Sequence, residues 1–169
     1  TVKAEENLIM GSNDLTTGWS YNNVQKTTGH TAPDGTSTAV GLDEDSTSNT
    51  FFFGVESISA YSSSDYVFSV YAKAGTLNWI DIFQTTGGIS RAAYFDLQNG
   101  VVGTTFNLLS ANIQSVGNGW YRCSISSLGS SADIRIYPAD ANNDLTGTSG
   151  NILIQNAQVE LGDIATDYI

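Results

Sequence analysis

Positive charge is scarce in this chain. Its 169 residues hold 6 Lys and Arg against 17 Asp and Glu, for a formal net charge of -11. A nucleic-acid binder needs a basic footprint to meet phosphates, and an anionic membrane surface makes a similar demand, so the net charge disfavours both. No run approaches the roughly 18 apolar residues of a membrane span, so no membrane insertion is expected. The single cysteine, Cys123, excludes an intrachain disulfide. There are 2 Pro and 1 Met, and no long 3.6-period segment rich in Ala, Leu, Glu and Lys, so helix is expected to be minor. Catalytic signals are equally sparse. His30, in Gly-His-Thr, is the only histidine and reads as a loop residue. No Gly-x-Ser-x-Gly elbow stands beside a base, no Gly-rich phosphate loop precedes a helix, and no His/Cys cluster has zinc spacing. No signal peptide is present, and the chain begins at Thr1. It reads as part of a larger polypeptide, with residues 1–6 as a linker and 7–169 as a single domain.

What the chain has is short alternation and turn chemistry. Tyr66–Thr76 alternates and stops at Gly75. Phe68, Val70 and Ala72 point one way, and Ser69, Tyr71 and Lys73 the other. That period of two is a β-strand, expected to cross the middle of a sheet. Leu77–Gln84 sets Ile80 and Ile82 against Trp79, Asp81 and Phe83, with bulky groups on both faces. Arg91–Leu97 is followed by Asn99-Gly100, a pair suited to a tight hairpin, so Val101–Phe106 should pair back on it. Ala39–Leu42, Phe51–Phe53 (prolonged by Val55 and Ile58), Ala111–Val116, Trp120–Ser126, the Ile134/Ile136 pair and Ile152–Leu161 complete the strands. Ala32-Pro33-Asp34-Gly35 reads as a turn, and Asp43–Asn49 as a polar loop. About ten short strands at this spacing predict an all-β fold, an antiparallel two-sheet β-sandwich of the jelly-roll kind.

The aromatic residues carry the functional signal. Trp and Tyr faces stack on the apolar C–H face of a pyranose, and neighbouring polar groups take its hydroxyls. Tyr71, Trp79, Asp81, Tyr137, Lys73 and Arg135 are the candidate ligand-binding residues. If Phe68, Val70, Ile134 and Ile136 line the core, Tyr71, Lys73, Arg135 and Tyr137 share the other face. Two rings and two cations there suit an acidic glycan. The competing reading makes Trp19, Trp79 and Trp120 core or edge packing, and Cys123 a small core residue. Asp81 and Asp96 are the strand-borne aspartates beside aromatics, the one place for a catalytic carboxylate pair.

Asp140-Ala141-Asn142-Asn143-Asp144 sets oxygen side chains at alternate positions, as a calcium loop does, so Asp140, Asn142 and Asp144 are the candidate ligands for one structural Ca2+. Leu145 at the sixth position and Asn151 at the twelfth exclude an EF-hand. The solvated-loop reading stays open. A second place for a cation is the meeting of the chain's two ends, with Asn7, Asp14 or Asp34 near Glu160 or Asp163.

Gly117–Ser126 (GNGWYRCSIS) and Gly150–Ile169 (GNILIQNAQVELGDIATDYI), with Lys73–Thr76, Tyr94–Gly100 and Ala32–Thr36, resemble a jelly-roll module of bacteriophage structural and tail-associated proteins. That module is similar to carbohydrate-binding modules of the family 4, 9 and 22 type. The resemblance implies a sandwich without catalysis, sugar binding in a concave-sheet cleft, and often one structural calcium away from it. Where such modules carry a tryptophan before the Ala-Gln step, this chain has Gln155. Tyr71–Gly75 also looks like the Tyr-x-Lys-Ala-Gly run of jelly-roll alginate lyases, but the Arg-x-Glu-x-Arg and Gln-x-His strands of those enzymes are missing. The expectation is a non-catalytic module, extracellular, secreted or virion-associated, that binds a polysaccharide. The alternatives are a structural domain of a phage particle or adhesin that binds protein, and a lyase or glycosidase domain.

Overall fold

The computed structural model describes residues 6–9, 11–44, 52–55, 64–86, 88–128, 133–146 and 149–169. The expected linker, apart from Glu6, and Asp45–Asn49, Phe51 and Ile58 lie outside them. Twelve strands run in chain order: β1 (Trp19–Asn22), β2 (Val24–His30), β3 (Ala39–Glu44), β4 (Phe52–Val55), β5 (Asp65–Ala74), β6 (Trp79–Thr86), β7 (Ile89–Asp96), β8 (Val101–Phe106), β9 (Ser110–Gly117), β10 (Trp120–Leu128), β11 (Ile134–Ala139) and β12 (Gly150–Leu161). They form two six-stranded sheets, ordered β1-β4-β11-β6-β7-β8 and β2-β3-β12-β5-β10-β9. Neighbouring strands pair antiparallel. The chain is an all-β jelly-roll sandwich, and no described helix is long and apolar enough to cross a membrane.

Alternation decides which side chains meet between the sheets. Phe68, Val70 and Ala72 of β5, with Ile125 of the neighbouring β10, meet Ile80 and Ile82 of β6, Phe95 of β7 and Ile134 and Ile136 of β11 in one core, all of them fully buried. Apolar area removed from water is the main stabilising term, so these positions carry most of the fold's stability. Cys123 lies in this core at 0% exposure, and burial pushes its thiol well up, which fits a packing role. β5 sits between β12 and β10, so it does cross the middle of a sheet.

Two segments were read differently from sequence. Thr27–His30 belongs to β2 rather than to a loop, and Asp43 and Glu44 end β3. His30 Nε2 is 2.8 Å from Thr27 Oγ1, whose hydroxyl donates to Asp43 Oδ2 at 2.9 Å. With the Thr27 proton on Asp43, its oxygen accepts from His30. This is a cross-strand tie, not a nucleophile facing its base. The hairpin at Asn99-Gly100 does bring β8 back onto β7, but through the four residues Leu97–Gly100. Gly100 has φ 69°, and its N–H donates to Asp96 O at 2.9 Å.

Gly75 ends β5 for a steric reason. A Cβ there would lie 2.6 Å from the Asn151 carbonyl oxygen and against the Asn151 side chain, which accepts from Thr76 N at 3.0 Å. Gly75→Ala therefore forces β12 away from the turn and is expected to cost about 1–3 kcal/mol, as overpacking does. Chemical denaturation should show the loss; an unchanged midpoint would mean the turn relaxes freely.

Segments beyond the strands cover much of the outer face of the second sheet, and the turn at Asn142 lies against β8 of the first. Residues 162–169 cross the outside of the second sheet. There Glu160 accepts from Thr166 N at 3.1 Å, Gln158 Oε1 accepts from Ile169 N at 2.9 Å, and the Tyr168 hydroxyl lies 2.6 Å from that of Ser12. Ser69, Val67 and Ser126 are buried beneath them. On the same sheet Ala32 of the Ala32–Thr38 turn packs with Ala39 on Trp120, and Thr38 accepts from Gln155.

Candidate functional site

The outer face of the first sheet is built from three cross-strand rows. Strand pairing sets Tyr137 of β11 beside Asp81 of β6 and Tyr94 of β7. On one side lies the row Arg135, Phe83, Ala92 and Phe106, and on the other the row Ala139, Trp79, Asp96 and Val101. Residues paired across antiparallel strands point the same way. Trp79, Asp81, Arg135 and Tyr137 therefore share one surface.

Asp81 is the unusual member. It is 3% exposed, and its Oδ1 is buried with no hydrogen-bond partner among the described residues. Burial pushes its carboxyl well above the usual carboxylate range. Burial also raises the phenols of Tyr94 and Tyr137, and the neighbouring Asp81 adds to both shifts. All three thus favour neutral, hydrogen-bonding forms. Phe83 meets Tyr137 edge-on, with centroids 6.2 Å apart. The Arg135 guanidinium lies 5.1 Å over the Phe83 ring, donates to the Tyr137 hydroxyl at 3.4 Å and pairs with Asp133 at 3.4 Å.

Trp79 completes the surface. Its Cζ3 comes within 2.7 Å of where a Cβ on Gly103 would stand, so glycine at 103 lets the indole lie against β8. Trp19 and Trp120 are 8% and 1% exposed, which makes them packing residues; Trp79 alone of the three tryptophans stays partly open.

Asp81→Asn tests the burial of this carboxyl. In the unfolded chain it titrates near about 3.9, and in the folded protein higher. Below the unfolded value both states are protonated and no penalty arises. As pH rises the unfolded state ionises first, so stability falls until the raised folded value is passed. Asp81→Asn is expected to gain melting temperature over wild type progressively above about pH 4. A constant difference between pH 3 and pH 8, set by melting curves, would exclude a buried, penalised carboxyl.

The other candidates fall elsewhere. Tyr71 and Lys73 do not share a face with Arg135 and Tyr137, because β5 and β11 belong to different sheets. Both pairs point outward, but on opposite sides of the sandwich. Alternation tells in from out and cannot tell which sheet a strand joins. Tyr71 packs on the Trp120–Ala39–Ala32 cluster and has the Arg122 guanidinium 5.4 Å from its ring centre. Asp96 faces outward but binds its own hairpin. Its Oδ1 accepts from Gln98 N and Asn99 N, and its Oδ2 from Asn99 Nδ2. Burial works against its charge, yet these bonds hold it below the usual range.

Asp140, Asn142 and Asp144 share one tight turn, in which Asp140 N donates to Asp144 O at 3.2 Å and Asp144 N to Ala141 O at 3.2 Å. Asn142 Oδ1 accepts from Thr104 N at 2.8 Å, which ties the loop to β8. Asp144 Oδ1 accepts from Thr146 N at 2.9 Å and from the Thr146 hydroxyl. The two chain ends do lie side by side, with Asn7 bonded to the backbone of Ala157 and Val159. Among the described residues no group of three His, Cys, Asp or Glu could hold a metal ion. Of the three candidate ligands, Asn142 and Asp144 each have one side-chain oxygen engaged within the fold.

The candidate set from sequence leaves out Phe83 and Tyr94, although Tyr94 is one of the aromatics that fall beside polar residues in the chain. For Phe83 the cause is that β6 is bulky on both sides, and only pairing with β11 and β7 shows which rows it joins.

No family model matches the chain, and no curated protein matches it. Solved structures do. The TmCBM61 module, solved with β-1,4-galactotriose, aligns at TM-score 0.54 and 11% identity over 93% of this chain and 99% of its own. The CBM22-1 xylan-binding domain of Paenibacillus barcinonensis Xyn10C aligns at 0.52 and 15% identity, over 98% of this chain and 100% of its own. The enzymatically active domain of Bacteriophage CBA120 tailspike protein 4 aligns at 0.53 and 14% identity over 92% of this chain, which spans 21% of that structure. At such identities the likeness is one of fold: this chain has the sandwich of those modules.

Proposed function

We propose that the domain is a non-catalytic carbohydrate-binding module that holds a polysaccharide on the outer face of its first sheet. The observation that carries this reading is Trp79, partly open and on the same face as the buried Asp81, which lies between two tyrosines and whose Oδ1 has no partner among the described residues. Trp79 and Phe83 offer apolar surface to sugar C–H groups. Arg135 offers a charge-assisted hydrogen bond to a hydroxyl, and Tyr137, Tyr94 and Asp81, each at most 5% exposed, form the floor beneath it. The printed ligands of the two modules above, a galactotriose and xylan, support a sugar as the occupant. Arg135 already faces Asp133, so a neutral chain is the first ligand to test on this face. The tailspike likeness supports a virion-borne or otherwise extracellular module of a larger polypeptide.

A catalytic reading draws on Asp81 and Asp96, whose environments push them in opposite directions. Asp96 spends both oxygens on the 97–100 turn, which leaves one carboxyl where glycoside hydrolysis needs two. A protein-binding reading draws on exposed apolar residues near the β8 and β9 edges, Val101, Phe106, Leu109 and Val116.

Affinity electrophoresis across neutral and acidic polysaccharides, with and without a calcium chelator, separates these readings. Retardation by one polymer without new reducing ends or unsaturated products supports a binding module. Product release would make it an enzyme. No retardation of a folded domain would favour protein binding.

A further inference from the structure

The opposite sheet holds a second, smaller site. A pocket of about 230 Å3 lies on its outer face, at the β9–β10 edge, between that edge and residues Asp163–Ala165. Its walls combine neutral polar groups, Ser110, Asn112 and Gln114 from β9 and Ser124 from β10, with the apolar Ala111, Ile164 and Ala165. Arg122 lines it and is the only cation there. Register explains the convergence: Gln114, Arg122 and Tyr71 form one cross-strand row, and Asn112, Ser124 and Ser69 the next.

Arg122 is incompletely satisfied. A guanidinium has five N–H donors in a planar fork. Nη2 donates to the Ser69 hydroxyl at 3.2 Å, and the Tyr71 ring lies beneath the guanidinium carbon at 5.4 Å. Nε is buried with no acceptor, and among the described residues no carboxylate lies within ion-pair distance of Arg122. The Ser69 hydroxyl and the Tyr71 ring replace only part of the hydration that this half-buried cation has lost. Asp163 on the exposed rim is the one acidic side chain in the lining.

We propose that this pocket binds the carboxylate of an acidic sugar residue, with Arg122 as its charge partner. A planar carboxylate matches the guanidinium fork, and that pairing is stronger than a neutral hydrogen bond. The Ser and Asn side chains around it supply partners for ring hydroxyls. At about 230 Å3 the pocket is below the roughly 300–1,000 Å3 of drug-sized sites, so it takes one terminal residue rather than a chain. Asp163 repels the same carboxylate and limits its affinity. Because the site is on the opposite sheet from Trp79, it stands or falls separately from the polysaccharide surface above.

The test is an amide-shift NMR titration of the 15N-labelled domain with glucuronate, glucose and acetate at matched ionic strength. Glucuronate should shift the amides of β9 and β10 and saturate. Glucose, without the charge, and acetate, without the ring, should bind at least about tenfold more weakly, the loss of one charge-assisted contact. Arg122→Gln should abolish the shift. Arg122→Lys, which keeps the charge and the Tyr71 contact but lacks the fork, should weaken it and guards against misfolding of the first variant. Asp163→Asn should tighten binding, and Trp79→Ala should leave it unchanged. Equal shifts from glucose and glucuronate, or wild-type glucuronate binding in folded Arg122→Lys and Arg122→Gln, would overturn the proposal. Acetate matching glucuronate would reduce the site to a simple carboxylate trap and overturn the sugar.

Discussion

Trp79→Ala is expected to weaken retention by the recognised polysaccharide by about 1–3 kcal/mol, or roughly 5- to 150-fold, as loss of a central aromatic contact does. The fold should survive. Trp79 is only partly buried and lies outside the main core, and its indole packs over Gly103 on the outer face of the sheet. Two companion variants sharpen the reading. Tyr71→Ala, across the sandwich, should leave retention intact, because its ring packs under Arg122 and on Trp120 instead of opening to the Trp79 surface. Tyr137→Phe removes one hydroxyl and should weaken retention less than Trp79→Ala does. Affinity electrophoresis on variants with wild-type circular dichroism measures all three. Wild-type retention by folded Trp79→Ala would move the site off this face.

Phe68→Ala is expected to be the most damaging single change to the fold. Phe68 is 0% exposed, in the strand at the middle of the second sheet, and paired with Ile125 on one side and Val159 on the other. Truncating it removes a buried ring and leaves a cavity between two sheets that cannot close, at a cost of about 3–5 kcal/mol. That is a large part of the roughly 5–15 kcal/mol that holds a domain of this kind folded. At about 2–4 °C per kcal/mol for this length, the melting temperature should fall by about 6–20 °C. Phe106→Ala is the control. Phe106 is 39% exposed on an edge strand, and its loss should change the melting temperature little. Comparable losses in the two variants, in calorimetry, would mean that the interior is not packed around Phe68 as described.

Much of this was legible from the chain. Phe68, Val70, Ile80, Ile82, Ile134 and Ile136 alternate with polar or aromatic residues, and period two assigns each to an inner or outer face whatever its sheet. Gly75 and the Asn99-Gly100 pair mark strand ends because few other residues tolerate the close approach of Asn151 or a φ of 69°. The Thr27–His30 strand was hidden because Gly29 and the nearby Pro-Asp-Gly look like one continuous turn.

Alternation fixes the side of a strand, not its neighbours. Lys73 and Arg135 look equivalent in sequence and are separated by the thickness of the sandwich, because β5 pairs with β10 and β12 while β11 pairs with β4 and β6. Only pairing between residues far apart in the chain brings Tyr137, Asp81 and Tyr94 into one row, buries there a carboxyl oxygen with no partner among the described residues, and sets Arg122 beside the C-terminal segment with no carboxylate among those residues at ion-pair distance. Local sequence thus determined strand, turn, charge and inward face, which depend on each residue's own geometry and its immediate neighbours. Tertiary structure decided which outward faces meet and which segments cover them, because those follow from long-range packing of the whole core.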